Sequence, residues 1–216
     1  MKIKHLAIGI FTATMLYSCG GGATETTTEE TTEATEVTEG TVTGEAYTVD
    51  LAASTIGWYG DKAIVEGQHN GAVQLKSASL LVNEGAVVGG EFIVDMTTIT
   101  CEDLTDPELN AKLVGHLKSG DFFLVDSFPE AKFVITGVSE GNVTGNLTIR
   151  GVTKSESFPA EIVVAEDGTV SANATIEIDR TKYDIKYGSK NFFADLVDEY
   201  VISDKIKITV ALTAAK

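Results

Sequence analysis

Four polar side chains, His69, Lys154, Arg180 and Tyr183, are the groups best suited to holding a polar ligand atom, and none has the company that bond-breaking chemistry needs. A guanidinium or ammonium donates to carboxylate or phosphate oxygen. An imidazole or a phenol can orient a quinone or amide oxygen. Each also has a plain structural use. Arg180 stands beside Asp179 and near Asp184, where it pairs with an acid or a strand-end carbonyl, and His69 opens a His-Asn-Gly turn whose backbone it can bond. A single imidazole among scattered carboxylates is no metal set. No serine or cysteine comes with a recognisable base and orienter, so the chain is read as a non-enzyme without metal or cofactor. Cys101 follows an alternating run and is expected to be a small buried side chain.

The elements that must position these groups are mostly strands. Gly145 to Lys154, GNLTIRGVTK, and the following SFPAEIVV read as neighbouring antiparallel strands with alternating faces. Tyr47 to Leu51 and Thr55 to Gly60 are two strand pieces joined by a turn. Phe92, Val94 and Met96 point one way while Glu91, Ile93 and Asp95 point the other. Asp106-Pro107-Glu108 opens the one helical segment, with Leu109, Leu113 and Leu117 on its apolar stripe and a stop near Lys118 and Gly120. About eight mostly amphipathic strands and one short amphipathic helix favour an all-β fold, an antiparallel barrel rather than a parallel sheet. Phe92, Val94, Phe122, Phe133, Ile135, Leu147, Ile149 and Ile176 are the candidate inward side chains. A packed core and a lined channel want the same residues here, so spacing leaves both open.

The chain carries 16 Lys plus Arg against 32 Asp plus Glu among 216 residues, and its net charge of -16 makes nucleic acid a poor partner. Residues 1–18 have a basic start and an apolar run too short to span a bilayer, and they end in Leu16-Tyr17-Ser18 before Cys19. This is the pattern of a bacterial lipoprotein signal, in which Cys19 becomes the acylated first residue. The expected location is then the cell envelope, lipid-anchored at the outer membrane, with the domain in the periplasm or on the surface. Residues 19–46 are Gly-, Thr- and Glu-rich and cannot bury a core, so they read as a disordered tether with a reach of roughly 30 Å. Residues 47–216 are enough for one domain.

With these pieces in place, residues 47–216 resemble the YceI-like family. The landmarks are YTVD at Tyr47, STIGW ending at Trp58, His69 with Gly71, GGEFIVDM ending at Met96, SGDFFLVDSFPEAKF ending at Phe133, GNLTIRGVTK, and IDRTKYDIKYG ending at Gly188. The resemblance implies a lipocalin-like barrel around an elongated apolar channel that takes an isoprenoid, a quinone or a fatty-acid-like lipid in a periplasmic setting. It places Arg180 at the family's strand-ending arginine and His69 at its early histidine. It also turns the eight apolar candidates into channel-lining residues. The expected partners are a hydrophobic small molecule or lipid and, through the anchor, a membrane; a homodimer is left open. A ligand-free interaction module and an enzyme acting on an amphiphile are the competing readings. A continuous apolar cavity favours carriage, a filled barrel the module, and a perturbed polar pocket the enzyme.

Overall fold

The computed structural model describes residues 43–216, and the expected lipoprotein signal, Cys19 and most of the expected tether lie outside the described residues. In chain order the strands are β1 Glu45–Val49, β2 Thr55–Asp61, β3 Gln68–Asn83, β4 Ala86–Asp95, β5 Glu130–Ser139, β6 Asn142–Ile149, β7 Val152–Val164, β8 Val170–Asp179 and β9 Lys205–Ala215. The helix α1, Pro107–Lys118, lies between β4 and β5. All pairings are antiparallel, and β3 pairs with β4 to close the sheet on itself. Both β1 and β2 lie between β3 and β9, β1 against Ser79–Val82 and β2 against Gln68–Val73. They are successive halves of one broken strand, so nine strands occupy eight positions of an antiparallel barrel.

Local chemistry explains the connections. Glu84-Gly85, Glu140-Gly141 and Arg150-Gly151 each form a two-residue hairpin loop with positive φ at both residues. That is the signature of the type I′ turn, whose twist matches the flanking strands. The helix begins where the sequence predicts: the Asp106 carboxylate accepts from the Glu108 and Leu109 N–H groups, and Pro107 occupies the first turn. Ser119 is its C-cap. The leucine stripe is only partly used, since Leu117 is buried whereas Leu109 is 54% exposed.

The barrel has two unlike ends. At the end of the β3–β4, β5–β6 and β7–β8 hairpins, Tyr47, Leu80, Val82, Val143, Val170 and Ala214 form one buried cluster. At the other end α1 and the long loops 96–129 and 180–204 pack over Met96, Ile99, Ile149, Ile178 and Ile185. The Arg150 guanidinium ties this second end together by donating to the Phe122 and Asp184 carbonyls at 2.9 and 3.0 Å. The sequence offered no sign of this role at a hairpin turn.

His69 lies inside β3, not in a turn as the His-Asn-Gly triplet suggests. The reason is Gly71. A Cβ there would stand 1.9 Å from the Thr100 carbonyl oxygen and 2.8 Å from Trp58 Nε1. The missing side chain lets residues 100–102 lie beside β3, where the Thr100 and Glu102 N–H groups donate to the Ala72 and Asn70 carbonyls. Gly71→Ala must push backbone from backbone, and it is expected to cost at least ~2 kcal/mol of unfolding free energy, measured as a lowered urea midpoint.

Candidate functional site

Alternation along every strand sends one set of side chains inward. Inside the ring they enclose an apolar cavity of about 230 Å³. A single water needs roughly 10–15 Å³ by this measure, so the space exceeds a packing defect many times over. Phe92, Val94, Phe122, Phe133, Ile135, Leu147, Ile149 and Ile176 all border it. Trp58, Val73, Phe158, Ile206, Ile208 and Leu212 border it too. Of these, the alternation of β9 puts Ile206, Ile208 and Leu212 on one face. Phe133 stands between Phe92 and Phe158, with ring centroids 6.4 and 5.5 Å away. Val94, Phe133, Leu147 and Ile176 face inward yet are only half-buried. Side chains in a filled core do not keep such exposure.

The four polar candidates are dispersed. Arg180 borders the cavity and is 1% exposed, and each of its three nitrogens donates to a loop carbonyl. Nε donates to the Ser203 carbonyl at 2.8 Å, Nη1 to that of Ile185 at 2.9 Å and Nη2 to that of Ile202 at 3.2 Å. Asp204 lies 3.5 Å away as its ion-pair partner. Burial lowers the pKa of the guanidinium and the charges of Asp204 and Asp179 oppose that, so it remains cationic. Tyr183 has no exposed surface, and its hydroxyl donates to Glu156 Oε1 at 2.8 Å. Burial first, and this carboxylate second, raise the phenol's pKa. Lys154 is exposed and pairs in register with Leu147. His69, Lys154 and Tyr183 are not among the residues bordering the cavity.

His69 belongs to a separate group. Its Nδ1 lies 2.8 Å from one Asp103 carboxylate oxygen. The other oxygen accepts from the Asn70 N–H at 2.9 Å and the Cys101 thiol at 3.3 Å. The His69, Cys101 and Asp103 ligand atoms fall within 4.8 Å of one another, the spacing of a potential metal triad. Yet both carboxylate oxygens are already occupied, and the bonds stitch loop 100–103 to β3. Burial pushes the Cys101 thiol up in pKa, away from the thiolate that nucleophilic chemistry requires. The aspartate lies between imidazole and thiol, so His69 bonds the carboxylate and not the thiol, and a carboxylate whose pKa is held at about 2 is a weak base for it.

These bonds give Asp103 a pH signature. Burial alone would raise its pKa, but the Asn70 N–H, His69 and Cys101 bonds outweigh it and hold the carboxyl at about 2, below the ordinary 3.8. The folded value is depressed, so the stabilisation is complete above the unfolded pKa and is lost as pH falls through the folded one. Asp103→Asn is expected to be less stable than the parent at neutral pH and to lose less stability between about pH 4 and about pH 2. Urea unfolding across that range measures the difference, with parallel curves being the contrary result.

Residues 47–214 match the YceI-like domain family. A UPF0312 protein of Staphylococcus aureus (strain USA300) is 40% identical over 78 residues, which is 33% of this chain and 46% of the relative. The chain thus spans about half the length of the curated relatives it matches. The crystal structure of Burkholderia cenocepacia BcnA superposes with a TM-score of 0.60 at 22% identity, covering 76% of this chain and 98% of that one. A polyisoprenoid binding domain from Saccharophagus degradans, implicated in plant cell wall breakdown, gives 0.56 at 14% identity, over 78% and 97% of the two chains. At these identities the two structures share the fold. A closed antiparallel barrel with an apolar interior, matched by the family from Tyr47 to Ala214, makes this chain a member of the YceI-like domain family.

Proposed function

We propose that the protein binds a hydrophobic amphiphile in its barrel cavity and carries or sequesters it at the cell envelope without changing it chemically. The observation that carries this reading is the continuous apolar cavity bordered by Phe133, Leu147 and Ile176, whose inward faces remain half-buried. Each methylene moved from water into such a space contributes roughly 0.8 kcal/mol, so about ten give roughly 8 kcal/mol before the costs of association, and micromolar binding calls for a longer chain than that. The class is a long isoprenoid, a quinone tail or a fatty-acid-like chain, and sharing its fold with a polyisoprenoid binding domain favours the first. Residues 47–216 are the binding unit in this reading. Cys19, acylated after removal of residues 1–18, would hold it to the membrane from which the ligand comes, since a single acyl chain anchors only weakly and lipoproteins carry more than one.

The test uses the mature chain purified without detergent and titrated with a long-chain alcohol. Leu147→Trp fills the cavity from its wall. It is expected to weaken binding about tenfold or more while leaving the urea midpoint nearly in place, because the ring enters empty space. A filled interior would give the reverse: no binding to lose, and an overpacking cost of about 1–3 kcal/mol.

A further inference from the structure

Toward the loop end of the barrel, the ring of strands is interrupted between the lower halves of β7 and β8. Ala160–Val164 pairs with Val170–Ala174. Below that point Val152–Pro159 pairs with β6, and Thr175–Asp179 pairs with β9, while the two segments have no pairing with each other among the described residues. Pro159 supplies the cause. The Ala160 N–H donates to Gly141, on the β6 side, so the adjacent Pro159 nitrogen faces β8 and has no hydrogen to offer. The ladder stops there and a seam opens toward the loop end of the barrel.

The inner edge of this seam is polar on one strand only. Phe158, Ala160 and Ile162 of β7 border the cavity, and the β6–β7 register runs without a shift, so Glu156 and Lys154 lie on the same inner face. Glu156 is engaged by buried Tyr183, which follows directly on β8 and closes part of the seam from within. Lys154 is different. It stands opposite Leu147, a cavity residue, yet it is exposed and makes no ion pair among the described residues. Arg180, the cation that borders the cavity itself, donates to three loop carbonyls.

We infer that the β7–β8 seam is the headgroup site of the barrel: the tail of an amphiphile lies in the cavity and its anionic end, a carboxylate or phosphate, meets Lys154 at the opening. This rests on the amphiphile-binding reading above and adds to it the charge of the ligand. A lone ammonium beside water holds a free anion weakly, and only the buried tail makes the contact effective by raising the local concentration of the headgroup.

Palmitic acid and cetyl alcohol share a chain length and differ in headgroup, so their affinities separate the two readings. The parent protein is expected to prefer palmitate by about tenfold. In Lys154→Gln the ratio should fall to about one, and in Lys154→Arg the preference should persist. Inorganic phosphate at millimolar concentration should not displace palmitate; displacement would identify a general anion site and overturn the headgroup assignment. A parent that does not distinguish the two, or a preference surviving in Lys154→Gln, overturns it as well while leaving the cavity reading intact. Failure of both ligands to bind would remove the cavity reading and the headgroup site together.

Discussion

The buried guanidinium of Arg180 is the fixed point on which the loop end of the barrel depends. Residues 184–204 cross that end in irregular conformation, and irregular backbone leaves carbonyls that strands would otherwise satisfy. Arg180 supplies donors to three of them, at Ile185, Ile202 and Ser203. A charge 1% exposed would be costly alone. Three carbonyl dipoles and Asp204 at 3.5 Å offset that cost. The clamp places Ile185 and Ile202 on the cavity wall, so a charged group organises an apolar lining.

The cavity survives because large and small inward residues are unevenly distributed around the ring. Phe92 on β4 and Phe133 on β5 project bulk into the interior. Four positions around from β4, β8 offers Ala172 and Ala174 instead, and β7 adds Ala160. A barrel of eight positions is just wide enough for side chains to fill when large ones come from every side. Alanines on one wall leave the space that the aromatics of the other wall cannot reach. Toward the hairpin end the arrangement changes, and Tyr47, Val82, Val143 and Val170 meet and seal it.

Much of this was legible in the sequence, for reasons that also mark where legibility stops. The Asp106-Pro107 cap and the alternation of β4 and β9 are local devices, and each predicted its element. Arg150-Gly151, by contrast, turns the chain inside the stretch GNLTIRGVTK that reads as one strand, so that SFPAEIVV continues β7 instead of forming its neighbour. Alternation reports which face a side chain takes, not how far away the opposite wall stands, so it could not separate a filled barrel from a hollow one. Asn70-Gly71 resembles a turn, and only a partner 29 positions downstream, Thr100, explains why the glycine sits in a strand. The His69–Asp103 bond likewise joins positions 34 apart. Arg180 stands beside Asp179 and near Asp184, yet the Asp179 carboxylate instead caps the Thr181 N–H and hydroxyl, while Arg180 reaches Asp204. Pro159 is legible on the same local terms, because a proline within a strand implies one unpaired flank.

The two ends and the seam together constrain how a bulky apolar ligand can exchange with solvent. One end is filled by side chains, and the other is held by Arg180, Arg150 and the packing of Leu117 and Val125. Opening either end means separating buried apolar surface or breaking several charge-assisted bonds at once. Separating β7 from β8 below Pro159 breaks no ladder bond, because none is present there. What stands in the way is Tyr183, packed within the loop-end cluster and held to Glu156 by one hydrogen bond. At the loop end, the proline that interrupts the sheet therefore makes the β7–β8 wall a place where strands can separate without loss of a ladder bond.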